Sequence, residues 1–185
     1  MNKSFPRRVA NRFLAMLARV APGATSLRPF LHRLRGVKMG RNVWIGDDVY
    51  LDNEYPEYIE IQDGAAISMR TTVLSHTKGA GRVIFERNSF VGPHSIVLCA
   101  GGREIRIGEG AVVGAGCVIS RSIPPRAFVL APAPQTVAEA TILYRPAKDM
   151  NLFVSGLKPL PTRKPVAARP ARPAPGGPAS GTPPV

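Results

Sequence analysis

The sequence predicts an all-β fold, a parallel β-helix of about four to five coils between helical flanks, and three observations predict it. Between residues 37 and 124 an aliphatic residue recurs every six positions, often followed by Gly or Asp and, four residues on, by a small or β-branched residue. The breaks in this period are themselves regular: Met39 to Ile61 is 22 residues, Ile61 to Phe85 is 24 and Phe85 to Ile107 is 22. The net charge of +13 is carried by the flanks, with nine Lys/Arg and no acid in residues 1–38, 11 basic and 12 acidic residues in 39–150, and five basic and no acidic residues in 151–185.

Residues 1–36 read as a basic, amphipathic helical flank. Phe5, Val9, Phe13, Met16, Leu17 and Val20 share one face at helical spacing, Arg7, Arg8, Arg12 and Arg19 lie largely off it, and Pro22-Gly23 ends the segment. A second basic stretch follows over residues 27–35, with Leu31 and Leu34 apolar. Two uses are open. One is a cap on the open end of the β-helix. The other is peripheral membrane contact through residues 1–22, as an interfacial helix on anionic lipid.

Residues 37–134 carry the repeat. The inward aliphatics are Met39, Ile45 and Leu51, then Ile61, Ile67 and Val73, then Phe85, Val91 and Val97, then Ile107, Val113 and Ile119. Three six-residue units make one triangular coil, each unit giving a short strand and a corner, with Gly or a small residue where the backbone turns. Coils stack at the strand spacing of about 4.8 Å, so inward side chains form columns and no coil is stable alone. The 22- and 24-residue spacings exceed three units by four and six residues. The extra segments, residues 55–58, 78–84 and 101–106, therefore all leave one corner as loops, a suitable place for a site.

Residues 135–157 read as a C-terminal helical cap, with Thr136 and Glu139 forming a capping box before a short helix that ends near Arg145-Pro146. Residues 158–185 are Pro, Ala, Gly and Arg with almost no large apolar residue, a composition expected to stay disordered.

No signal peptide or membrane-length apolar run is evident, and the expected location is the cytoplasm, with the inner membrane face as the place for any docking. The near-neutral repeat region has no basic stripe or recognition motif, so no specific nucleic acid is expected. Cys99 and Cys117 lie at different phases of the repeat and read as small buried residues, not a disulfide.

Of three histidines, His32 lies in the basic flank and reads as solvated or packed. His76 is the fourth residue of a third unit, at the loop-bearing corner before the longest insertion. An imidazole titrating near neutrality suits removal of a hydroxyl proton. The equivalent position one coil earlier is Glu54, which there either orients the imidazole or solvates the corner. Asp52 and Asn53 precede it as candidate ligands for substrate hydroxyls, or as turn formers. His94 lies at a different corner, in the same column as Arg70. It is a second candidate substrate contact, with a surface or subunit-interface histidine as the default.

The stretch 107–125, IGEGAVVGAGCVISRSIPP, resembles the last coil of hexapeptide-repeat acyltransferases. Leu74-Ser75-His76 resembles the segment holding their catalytic histidine, and 34–46, LRGVKMGRNVWIG, the entry to the β-helix in members that O-acetylate sugars and exopolysaccharides. The resemblance covers about residues 30–134. It implies a left-handed parallel β-helix and a homotrimer with sites between subunits. The donor is acetyl-CoA or another acyl-CoA as co-substrate, with no permanently bound cofactor. Its pantetheine would meet backbone groups near Gly114 and Ala115. Arg121 stands where the family commonly has Lys, a position suited to CoA phosphates. Ser122 replaces a usual Asp, and residues 131–134, Ala-Pro-Ala-Pro, replace a usual Gly-x-Pro.

These readings converge on an acyl-CoA-dependent O-acyltransferase acetylating a hydroxyl of a sugar or polysaccharide precursor, by direct transfer with His76 as base. The alternative is a non-catalytic β-helix scaffold or assembly protein whose basic flanks bind membrane or polyanion. A carbonic-anhydrase-like zinc enzyme needs three histidine ligands, and two coil histidines at different corners are too few, so no metal site is expected.

Overall fold

The computed structural model describes residues 4–143 and 149–160. The first coil holds strands β1 (Lys38–Met39), β2 (Trp44–Ile45) and β3 (Tyr50–Leu51). The second holds β4 (Ile59–Ile61), β5 (Ala66–Ile67) and β6 (Thr72–Thr77), and the third β7 (Arg82–Phe85), β8 (Phe90–Val91) and β9 (Ile96–Ala100). The fourth holds β10 (Glu104–Ile107), β11 (Val112–Val113) and β12 (Val118–Ile119), and β13 (Phe128–Val129) begins a fifth. Corresponding strands pair in parallel from coil to coil, giving three sheets: β1-β4-β7-β10, β2-β5-β8-β11-β13 and β3-β6-β9-β12. The chain is a β-solenoid of about four turns.

The inward columns follow the period. Met39, Ile61, Phe85 and Ile107 stack in the first sheet, Ile45, Ile67, Val91 and Val113 in the second, and Leu51, Val73, Val97 and Ile119 in the third. All but the half-buried Met39 are buried, as are the small or β-branched residues two positions before them, such as Val43, Ala65, Ser95 and Cys117. Two corners are turned by a column of left-handed residues, Asn42, Gly64, Asn88, Gly110 and Arg126 at one and Asp48, Arg70, His94 and Gly116 at the other, with φ between +54° and +71°. From the second coil on, their N–H groups donate to the preceding coil, as from Asn88 to the Asp63 carbonyl at 3.0 Å.

The three insertions do leave at the corner between the third and first sheets, but they are not free loops. Residues Pro56–Tyr58 make one 3-10 turn. The second and third insertions lengthen strands instead: β6 runs six residues, β9 five, and β7 and β10 four each. Turns join them, with Gly81 N–H donating to the Ser75 carbonyl at 2.6 Å between β6 and β7 and Arg103 N–H to the Ala100 carbonyl at 3.2 Å between β9 and β10, while Gly102 N–H reaches back one coil to the Ala80 carbonyl at 2.9 Å. Stacked insertions satisfy one another's backbone groups, which separate loops would leave to water.

Before the coils come α1 (Phe5–Val20) and α2 (Leu27–Leu34), which cover the first coil. That edge exposes backbone groups with no strand to pair with, and the flank supplies partners. Arg28, buried, donates to the carbonyls of Ala21 at 2.6 Å and Ile45 at 3.0 Å and pairs with Asp47. Arg33 donates to the Gly40 carbonyl at 2.5 Å, and Arg35 to those of Leu51 at 3.0 Å and Asp52 at 2.9 Å. The Ala24 carbonyl accepts from Ile45 N–H at 2.8 Å, and the Arg19 carbonyl from Asp48 N–H at 3.0 Å.

The packed face differs from the expected one. Helix α1 buries Asn11, Ala15 and Ala18, while Phe5, Val9, Phe13, Met16, Leu17 and Val20 point outward. In α2, Arg28, Pro29, Leu31 and His32 are buried, and Leu27, Phe30 and Leu34 are exposed. The end of a β-helix is a polar surface. An apolar helical face laid on it would strand carbonyls at about 1–3 kcal/mol each.

The described residues from 133 on form a separate compact unit. In it β14 (Ala138–Ala140) pairs antiparallel with β15 (Leu157–Pro159), and α3 (Met150–Ser155) lies between them in sequence. Helix α3 starts at Asp149, whose side chain accepts from Leu152 N–H at 2.8 Å. The helix expected to begin at Thr136 is therefore replaced at its first turn by a strand, and Lys158 is part of the pairing strand. The remainder expected to be disordered, residues 161–185, and the expected helix end at 145–146 lie outside the described residues.

Candidate active site

His76 is the fifth residue of β6, at the corner where the insertions leave. Alternation along the strand turns Ser75 inward and His76 outward, leaving the imidazole 38% exposed. Its Nδ1–H donates to Asp52, whose side chain is fully buried. The Asp52 carboxylate is heavily solvated by protein. One oxygen also accepts from Ser75 N–H at 2.8 Å and Ser75 Oγ at 2.9 Å, and the other from the N–H groups of Glu54 at 2.9 Å and Tyr55 at 3.4 Å. Burial by itself would raise this carboxyl's pKa, but the bonds from His76, Ser75 and Glu54 together outweigh it and hold the pKa below the ordinary carboxylate value. Asp52 is thus a fixed anion behind the ring that engages Nδ1 and leaves Nε2 uninvolved in that bond.

The pairing register β3 with β6 matches Tyr50 to Thr72 and Leu51 to Val73. Extended two more residues past Asp52, it would bring Glu54 opposite His76. Strand β3 stops at Leu51 because the Asp52 side chain accepts from the Glu54 and Tyr55 N–H groups in an Asx-turn. The turn swings the chain aside, and Asp52 takes the position beside the ring that the coil arithmetic gives to Glu54. Glu54 forms ion pairs with Arg12 at 3.4 Å and Arg8 at 3.5 Å. Asn53 Oδ1 accepts from Arg35 at 2.6 Å.

Three contributors had no signal in the six-residue pattern. Tyr55, carried by the first insertion, lies against His76 with ring centroids 5.8 Å apart and planes tilted by 52°. Ser75 bridges to Asp52. Arg35, 1% exposed, binds the Leu51 and Asp52 carbonyls, Asn53 and His32 Nδ1 at 2.9 Å, so the flank fixes the backbone that carries Asp52. His32 is packed, not solvated. Burial, then the neighbouring Arg35, lowers its pKa from 6.5 to about 3, so it stays neutral.

His94 is exposed at the corner between the second and third sheets, a different corner from His76. Gly114 and Ala115 follow β11; Gly114 donates N–H to the Val129 carbonyl at 2.8 Å and accepts from Ser95 Oγ at 3.1 Å. Gly92 one coil earlier has no room for a Cβ, which would sit 2.7 Å from the Gly114 carbonyl carbon. Arg121 is exposed and borders a cavity of about 230 Å³ with Val118, Ile119, Ser120, Leu130 and Pro132. Strand β12, just before it, lies in the same sheet as β6, two coils or roughly 10 Å along the stack. A second cavity of about 430 Å³, lined by Lys38, Glu60, Asp63 and Arg87, does not include His76.

Both cysteines are buried and unpaired with each other. Burial pushes the Cys99 thiol up, and its Sγ donates to the carbonyls of Arg103 at 3.3 Å and Arg82 at 3.4 Å, which is poor chemistry for a nucleophile. Among the described residues no three His, Cys, Asp or Glu side chains converge as metal ligands do.

No family model matches the chain. "Putative acetyltransferase YvoF" of Bacillus subtilis (strain 168) is 29% identical over 132 residues, covering 68% of this chain and 73% of that protein. "Bifunctional protein GlmU" of Thermotoga petrophila is 40% identical over 60 residues, 32% of this chain and 13% of GlmU. Among solved structures, the hexapeptide-repeat containing acetyltransferase VCA0836 from Vibrio cholerae has the same fold, with a TM-score of 0.50 at 16% identity over 68% of this chain and 86% of that one. The six-residue period and the stacked parallel coils give this chain the hexapeptide-repeat β-helix fold, which VCA0836 shares, and its sequence is similar to YvoF over about two thirds of its length.

Proposed function

We propose that the protein is an acyl-CoA-dependent O-acyltransferase that moves an acetyl group from acetyl-CoA to a hydroxyl of a sugar or polysaccharide precursor in the cytoplasm. The observation that carries this reading is the half-exposed His76 whose Nδ1–H is held by the buried anion of Asp52. His76 Nε2 takes the proton of the acceptor hydroxyl as that oxygen attacks the thioester carbonyl. Backbone N–H groups stabilise the tetrahedral oxyanion. The C–S bond then breaks, and the imidazolium returns its proton to the departing CoA thiolate. Asp52 stabilises the imidazolium between the two transfers, and Tyr55 supplies one wall. The donor lies along the third sheet toward Gly114, Ala115 and Arg121, the last meeting CoA phosphates.

The working unit is a homotrimer. The outward column of the second sheet is apolar, with Trp44, Phe90, Val112 and Phe128 exposed, and Ile96 and Val118 continue it on the third. The first sheet instead carries an ion-pair network of Glu60, Arg82, Glu104, Arg106 and Glu86. Copies that bury the apolar column leave the charged sheet in water. His94, on another corner, would meet the acceptor from a neighbouring copy.

The test is acetyl-CoA binding by calorimetry, then thioester turnover with a panel of sugars, for wild type and His76→Ala. Binding by both with turnover only in wild type supports the enzyme and its base. Absence of binding in both would favour the non-catalytic scaffold.

A further inference from the structure

We infer that the outward face of α1 and α2 docks flat on an anionic lipid bilayer. The inference goes beyond acyl transfer and does not depend on it. Both helices press small, polar or cationic residues onto the first coil and, apart from the buried Leu31 and half-buried Leu14, turn their large apolar residues away from the protein. Phe5, Val9, Phe13 and Met16 on α1 join Phe30 and Leu34 on α2 in that face, with Phe13 and Met16 exposed by 66% and 67%. The helices pack side by side on one end of the solenoid, so these residues form one surface.

Charge decides the occupant. Residues 1–38 contain nine Lys/Arg and no acid. Arg7, Arg8, Arg12, Arg33 and Lys38 are exposed on the same two-helix layer or just after it. Two such faces brought together as copies would repel. Anionic headgroups complement the cations while acyl chains take up the Phe, Met and Leu side chains, the pattern of an interfacial helix. No helix among the described residues is long and apolar enough to cross a membrane, and α1 spans only about 24 Å, so the helices lie in the plane. Glu54, paired with Arg8 and Arg12, puts this surface beside the Asp52–His76 corner.

The experiment is co-sedimentation of the full chain with vesicles of phosphatidylcholine alone or with about one-third phosphatidylglycerol. The comparison variant is Phe13→Glu/Met16→Glu, both on the exposed face, with its melting temperature checked against wild type. Wild type should bind the anionic vesicles, leave the neutral ones mostly unbound and lose binding in high salt. The variant should bind about tenfold less or weaker still. Equal binding by the variant, or none by wild type, overturns the inference. So does a wild-type assembly of copies that the variant disperses while vesicles capture neither protein.

Discussion

The Asp52 carboxylate meets His76 because β3 ends at Leu51 and the chain turns at Asp52 instead of pairing further with β6. Coil arithmetic assumes that strands keep pairing, and β3 stops because a single aspartate side chain closes a turn on its own backbone. That competition between side chain and ladder is local and leaves no mark on a six-residue period. Asp52→Asn should lower turnover by about 100-fold or more, because an amide neither fixes the tautomer as well nor stabilises the imidazolium. His76→Ala should lose at least as much, with acetyl-CoA binding retained in both; turnover and its pH profile unchanged in Asp52→Asn would remove the aspartate from the mechanism. His32 gives a prediction about stability. Its neutral form is locked in by burial and by Arg35, while the unfolded chain takes up a proton below about pH 6.5. The fold should therefore lose stability as pH falls from 6.5 toward 3, by about 1.4 kcal/mol per pH unit at most. His32→Asn keeps an acceptor for Arg35 but cannot titrate, so its chemical-denaturation stability should fall less steeply across that window. An equal slope would show that carboxylates alone set the acid limit.

At the scale of elements, the coils were legible because each inward position is dictated twice, by period and by the column above and below. The flanks were legible only in part. Helical spacing identifies α1 and its two faces, but not which face the protein uses. The choice was made by the unpaired edge of the first coil, which needs arginines and not an apolar cover. Thr136 and Glu139 make a plausible capping box. Yet Val137, Thr141 and Ile142 around β14 are β-branched, and pairing with β15 fits them better than a helical turn. Arg28 is the strongest test of the cap. Arg28→Ala removes donors from the Ala21 and Ile45 carbonyls. It should destabilise the fold by about 2–4 kcal/mol and lower the melting temperature by roughly 5–15 °C. Arg8→Ala, an exposed partner of Glu54, should shift it little. Similar melting shifts for both would mean that the edge is held by something other than the buried guanidinium.

Beyond single elements, the stacked coils present three sides, one charged and two carrying outward apolar columns. The period alone gives no hint of which sides meet, since outward positions are free to vary. If copies associate through those columns, light scattering should report close to three times the chain mass of 19.8 kDa. Phe90→Glu, in the middle of the second sheet's outward face, should yield monomers and reduce turnover together. A monomeric wild type, or a trimeric Phe90→Glu, would place the contact elsewhere.

A stack of coils contains no internal instruction to stop growing. Each coil presents to the next the same hydrogen-bonding template it received, so the bare edge of the first would accept the last coil of another molecule, and that molecule the next. The arginines of Arg28, Arg33 and Arg35 act as a chain terminator: they fill the template with groups that cannot themselves be extended. A protein lacking residues 1–36 should for this reason polymerise head to tail into fibrils, not merely melt sooner. Electron microscopy of the truncated chain would reveal filaments where the full chain stays particulate.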